Sequence, residues 1–124
     1  MITIQEANDI LDEIANSLPA EFYKYLNAGI ILQPQVKPHP ESKAEDLFIM
    51  GEYCHDSLGR YIIIYYGSFI RVHGHLGRKA AAAELRAILL HEFTHHLESL
   101  SGERDLEIKD ARDMAEYRRG HNSS

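Results

Sequence analysis

The sequence predicts an α+β fold: a small mixed or antiparallel sheet packed against an N-terminal helix, a long second helix and a C-terminal helix. Three observations predict it. Apolar residues recur at helical spacing from Ala7 to Leu18. Two β-branched and aromatic runs flank a short Gly-containing loop in the middle of the chain. A broad apolar stripe of 3.6-residue period then runs from residue 78 to residue 100. At 124 residues the chain has the size of one domain, 1–124, with enough apolar surface to build a core unaided.

Composition narrows the functional classes. A formal net charge of −6 argues against nucleic acid as a partner, because phosphate binding needs a basic stripe and none is visible. No apolar run approaches membrane-spanning length, so no membrane partner is expected. The first residues, Met1-Ile-Thr-Ile-Gln-Glu6, lack the apolar core of a signal peptide. Cys54 is the only cysteine, which rules out an internal disulfide and makes a reducing cytoplasm the simplest compartment.

Taken in order, Thr3 is a candidate helix N-cap, and Glu6 three residues on would complete a capping box. Ala7, Ile10, Leu11, Ile14 and Leu18 then form one face, ending at Pro19. A short segment follows in which Phe22, Leu26 and Tyr25 are expected to pack inward, closed by Asn27-Ala28-Gly29. Residues 30–36 read as a strand. Residues 34–45 hold Pro34, Pro38 and Pro40, a density that prevents helix and ladder alike, so this is a loop. His39 sits in that loop and is expected to be a solvent-exposed bystander, as most histidines are.

Residues 47–53 are the next expected strand. His55-Asp-Ser-Leu-Gly59 supplies turn chemistry, and Arg60 to Tyr66 follows as a second strand, so the pair should form an antiparallel hairpin. Gly67-Ser68 is expected to break the chain, with residues 69–72 forming a last short strand or a turn. His73 and His75, on a Gly-rich stretch, are expected to be plain loop residues. Cys54 should be a half-buried thiol, and Tyr61, Tyr65 and Tyr66 aromatics of the core and sheet surface.

The long helix is expected from Arg78 to Leu100, with Leu85, Ile88, Leu89, Phe93, Leu97 and Leu100 as its packing stripe. Ser101-Gly102 is a suitable stop, glycine taking a left-handed position. A final helix is expected over 105–119, and the tail 120–124 should fray.

Inside the long helix, His91-Glu92-Phe93-Thr94-His95 reads HExxH. Residues four apart lie on one helical face, so His91 and His95 can aim two imidazoles at one point. Glu92 can reach a water held there. Two neutral imidazoles and a carboxylate beside a water are the elements of zinc-assisted hydrolysis, with Glu92 as general base. Zinc is therefore the expected cofactor, a peptide or protein the expected substrate, and hydrolysis the expected reaction. His96 falls within the apolar stripe and is expected to pack or support rather than ligate. A third ligand is required. Position 101, where a metzincin carries its third histidine, is Ser101, and the glycine position of that motif is Glu98.

Met50-Gly-Glu-Tyr53, Arg60-Tyr-Ile-Ile-Ile-Tyr65 and Leu85-Arg-Ala-Ile-Leu-Leu-His-Glu-Phe-Thr-His-His96 together resemble the minimal zincin-like metallopeptidases, small and mostly bacterial proteins. The resemblance covers the C-terminal two-thirds of the chain. It implies a compact zincin-like fold built around a zinc-binding active helix. In many members the motif continues as HExxHxxGxxD, the aspartate being the implied third ligand. Here Gly102-Glu-Arg-Asp105 keeps the Gly-x-x-Asp spacing one helical turn later, which makes Asp105 the first choice if the chain folds back there. Glu98, Glu107 and Asp110 are the alternatives. The competing functional class is a non-catalytic metal-binding or regulatory module on the same fold.

Overall fold

The computed structural model describes residues 1–43 and 47–119, the side chains as far as residue 102. The tail expected to fray lies outside the described residues. Helix α1, Ile4–Ser17, starts where the capping box predicts. The Thr3 hydroxyl accepts the Glu6 N–H and the Glu6 carboxylate accepts the Thr3 N–H, both at 3.1 Å. Two amides that the first helical turn leaves unpaired are thereby satisfied. Ala7, Ile10, Leu11 and Ile14 are the buried face. A 3₁₀ turn, Ala20–Tyr23, follows Pro19 and delivers Phe22 and Leu26 to the core. Tyr25 does not follow them. Its φ of 65° points the side chain outward, and it is 63% exposed.

Three strands form one sheet: β1, Gly29–Gln33; β2, Gly51–Asp56; and β3, Gly59–Tyr65. The order is β1-β3-β2, so the sheet is mixed. Strand β1 runs parallel to β3, Gly29 opposite Tyr61 through Gln33 opposite Tyr65. Strand β2 is antiparallel to β3, Gly51 opposite Ile64 through Asp56 opposite Gly59. The expected hairpin is present, with Ser57-Leu58 as a two-residue turn. There the Asp56 carboxylate accepts the Leu58 N–H at 2.9 Å, an Asx turn. The expected first strand is shortened at Pro34, and the expected second strand is shifted toward its turn.

Two elements depart from expectation. Residues 66–73 are helical, as α2 (Tyr66–His73), in place of the expected break and short strand. Gly67 serves contact here and not termination: a Cβ on it would lie 2.6 Å from the Gln35 carbonyl carbon. Ser68 is fully buried and its hydroxyl accepts the Lys37 N–H at 2.7 Å. Helix α2 therefore clamps the start of the proline-rich loop. The second departure is α3, a single helix from Arg78 to Arg119 with no stop at Gly102. Among the described residues the positive-φ glycines are Gly29 and Gly59 only. A helical glycine costs about 1 kcal/mol, and the strong helix formers Glu103, Arg104, Leu106, Glu107 and Lys109 that follow outweigh it.

The core lies between the helices and the inner face of the sheet. Ile62 and Ile64 of β3 are fully buried, as are Leu89 of α3 and Phe69 of α2. Ala81, Leu85 and Phe93 extend the α3 stripe, which packs on α1 and on both β2 and β3. Each such large side chain contributes about 1.5–3 kcal/mol on burial. Phe93 is also gripped by two rings, with Phe22 at 5.6 Å and Tyr23 at 5.3 Å between centroids. Among the described residues no helix is long and apolar enough to cross a membrane.

Gly59 closes the hairpin at φ 112°, and a Cβ there would overlap the Asn27 side chain. That same Asn27 side chain accepts the Arg60 N–H at 2.9 Å. Gly59→Ala is therefore expected to destabilise the fold by more than about 1 kcal/mol, read from the urea midpoint.

Candidate metal centre

Helix α3 brings His91 and His95 to the surface of an open cleft of about 760 Å³, lined also by His39, Gly51, Glu52, Tyr53, Glu92 and Glu98. Both histidines are exposed, one turn apart, and their Nε2 atoms approach to 3.1 Å. Two nitrogens bound to one tetrahedral zinc at about 2.0–2.1 Å would be about 3.3 Å apart. The observed separation suits a shared ion with little adjustment, so the two imidazoles fit two positions of a zinc site.

Glu92 lies on the other side of the same turn and is 7% exposed. It belongs to the buried stripe, between Leu89 and Phe93, yet its carboxylate borders the cleft. Burial pushes its carboxyl above the ordinary value, against the opposing pull of His91 and His95. The Tyr53 backbone N–H nearby also pulls the value down, more weakly than burial raises it. Strand β2 can come this close because residue 51 is glycine. A Cβ there would stand 2.9 Å from Ile88 Cγ2 and 3.2 Å from Glu92 Oε2.

The Glu52 carboxylate, carried on β2, is differently placed. Glu52 accepts hydrogen bonds from the Lys37 ammonium and, at 2.5 Å, from the Tyr65 hydroxyl. Burial acts to raise its pKa, but these bonds together hold it below the ordinary value. Glu52 is thus a neutralised, tethered anion, and Glu92 is the basic carboxylate of the cleft.

Beneath the cleft a buried polar network joins α3 to β2. His96 is fully buried, its Nε2 2.8 Å from the Lys24 carbonyl and its Nδ1 2.9 Å from the Tyr53 hydroxyl. A carbonyl only accepts, so Nε2 carries the proton and Nδ1 accepts from Tyr53. The Tyr53 oxygen in turn accepts from Arg60 Nη1 at 2.8 Å, and Arg60 Nη1 also reaches Ser99 Oγ at 2.7 Å. This arrangement needs neutral His96, and burial, with Arg60 nearby, lowers its pKa accordingly. The sequence places His96 on the packing stripe; its partners are visible only in the fold.

The remaining site expectations divide. Among the described residues no group of three His, Cys, Asp or Glu side chains is gathered tightly enough to hold a metal. Of the carboxylates weighed as third ligand, Glu98 lines the cleft. The side chains of Asp105, Glu107 and Asp110 lie outside the described residues. The fold-back that recommended Asp105 is absent, since α3 continues, and ten residues of helix put its Cα about 15 Å along the axis from that of His95. His73 and His75 are not in the cleft lining; His73 ends α2, 3.8 Å from Glu84. Cys54 is half-buried in β2 and also outside the lining. His39, expected as a bystander, is half-buried and lines the cleft. No local sequence signal marks it, because a loop residue has no periodicity to read.

A solved structure of a conserved hypothetical protein from T. thermophilus is similar to this chain. The two are 31% identical, with a TM-score of 0.70, over 82% of this chain and 99% of the other. No family model and no curated protein matches the chain.

Two outcomes test the site as a physical object. Tyr53→Phe removes the partner of His96 Nδ1 and one partner of Arg60, and should cost about 1–3 kcal/mol in urea unfolding. A carboxyl whose pKa is raised by folding stabilises the protein below its unfolded pKa, and that contribution is lost as pH rises through the folded value. In chelator-treated protein, Glu92→Gln should therefore match the wild-type melting temperature near pH 4. It should become progressively the more stable of the two as pH rises toward 8. Parallel melting curves across that range would contradict a raised Glu92 pKa.

Proposed function

The chain belongs to the same family as the conserved T. thermophilus protein, and we propose that it is a zinc-dependent metallopeptidase of zincin-like architecture. One observation carries the reading: His91 and His95 Nε2 converge to 3.1 Å beside the buried carboxylate of Glu92 in a single open cleft. Two helix histidines packed for stability alone would not need to converge at the surface next to a desolvated base.

Zinc in this site would supply Lewis acidity and lower the pKa of a water in the cleft toward about 7. His91 and His95 would hold it through neutral imidazole nitrogens. Glu92 acts as the general base. It follows His91 directly in the chain and lines the same cleft, within reach of a water held there. Glu92 takes the proton of the attacking water. Glu92 then returns that proton to the leaving amine.

A peptide is the substrate class that suits the wall opposite α3. Strand β2 is an edge strand, and its Gly51, Glu52 and Tyr53 line the cleft. An extended peptide can lie beside such an edge as an added strand, its carbonyls directed by main-chain pairing. Short cleft walls suit broad sequence tolerance. Among the carboxylates weighed as third ligand, Glu98 borders the cleft already, whereas Asp105 reaches it only if α3 turns back near Gly102.

A second reading is favoured by the lack of a third ligand among the described residues: a non-catalytic module that binds metal through His91 and His95 for regulation or partner binding. The two readings part at Glu92. Elemental analysis of wild type is expected to give one zinc per chain, and His91→Ala none. Glu92→Gln should keep the zinc and lower cleavage of a mixed peptide library by at least about 10²-fold. Glu98→Gln should weaken zinc binding more than Asp105→Asn does. Zinc-loaded wild type that cuts nothing would favour the non-catalytic module, and wild type without zinc would remove both readings.

A further inference from the structure

We propose that His39 is a catalytic residue of this cleft: its Nε2–H donates to the substrate carbonyl oxygen as that oxygen takes on negative charge. The role rests on the metallopeptidase reading, and names a participant that reading leaves open.

The fold carries His39 to the cleft. Helix α2 holds the loop through the Ser68 hydroxyl and the Lys37 N–H. From there the loop pairs with the segment leading into β2. The Ile49 N–H donates to the Lys37 carbonyl and the His39 N–H to the Leu47 carbonyl, both at 2.9 Å, around a Pro38–Phe48 bridge. His39 is thus carried on a short two-stranded stem beside β2. His39 lines the cleft together with His91, Glu92 and His95.

Hydrogen bonding then fixes what the ring can do. The Glu41 backbone N–H donates to His39 Nδ1 at 3.0 Å. A backbone N–H is never an acceptor, so Nδ1 presents its lone pair, and the proton of the neutral ring sits on Nε2. His39 is therefore a hydrogen-bond donor through Nε2. The same bond argues against His39 as the missing metal ligand, because coordination through Nε2 needs a lone pair there and a proton on Nδ1.

The other side chains at the cleft do not meet this need. Glu52, Glu92 and Glu98 are carboxylates, which accept when ionised. The Tyr53 hydroxyl is committed to His96 and Arg60, and the Ser99 hydroxyl faces Arg60. A pre-placed donor costs no reorganisation as charge develops, and removing one such donor from an acyl-transfer site lowers kcat by about 10²–10³.

The test has a metal-free arm and a catalytic arm. Long-range ¹⁵N–¹H spectra of chelator-treated protein are expected to report the Nε2–H tautomer for His39. His39→Ala should retain the wild-type zinc content. On the library's best-cleaved peptide it should lower kcat by about 10²-fold with little change in KM. His39→Gln, which keeps an N–H donor, should recover part of the loss. The opposite tautomer, unchanged kcat, or a loss of zinc in His39→Ala would each overturn the proposal, the last by making His39 a ligand. Wild type that binds no zinc or cleaves no peptide removes the metallopeptidase reading itself, and this role with it.

Discussion

Tyr53 joins the histidine-bearing helix to the sheet, and the geometry of the cleft depends on that junction. Its hydroxyl links His96 of α3 to Arg60 of β3, and its ring packs on the His96 ring at 5.3 Å between centroids. One residue of β2 thus ties α3 to both strands of the hairpin. Arg60 is 6% exposed and His96 fully buried, so the network sits where a lost partner is costly. The close approach further depends on Gly51, since any side chain there would meet Ile88 and Glu92.

The electrostatic design follows from the same wall. Glu52 and Glu92 face the same cleft and would ordinarily compete for roles. Glu52 is tied down by Lys37 and Tyr65 and held ionised, while burial dominates at Glu92 and holds it basic. Environment separates the two, as it does in other paired-carboxylate sites. A loop anchored by Ser68 supplies the opposite chemistry, a ring nitrogen that donates.

Much of this is readable from residue order. The Thr3–Glu6 box sets the start of α1, the two apolar runs around Ser57-Leu58 set the hairpin, and the spacing of His91 and His95 sets the paired imidazoles. Each depends on contacts within a few residues, where backbone geometry alone dictates what can meet. Gly67 and Gly102 mislead for one shared reason. Glycine is locally a breaker, but at Gly67 a neighbouring backbone needs the space, and at Gly102 the following helix formers prevail. Tyr25 misleads differently, since a left-handed backbone turns an aromatic out of the core.

The order of residues by itself determined the α+β class, the two apolar helical faces, and the histidine pair with its adjacent carboxylate. Those are short-range consequences of helical and strand periodicity. Only the tertiary structure decided that β1 runs parallel to β3, that Tyr53, His96 and Arg60 form one network, and that His39 enters the cleft. These pairings join residues far apart in the chain, or hang on one loop hydrogen bond. Their partners are selected by packing and by the need to satisfy buried polar groups, neither of which leaves a periodic trace in the chain.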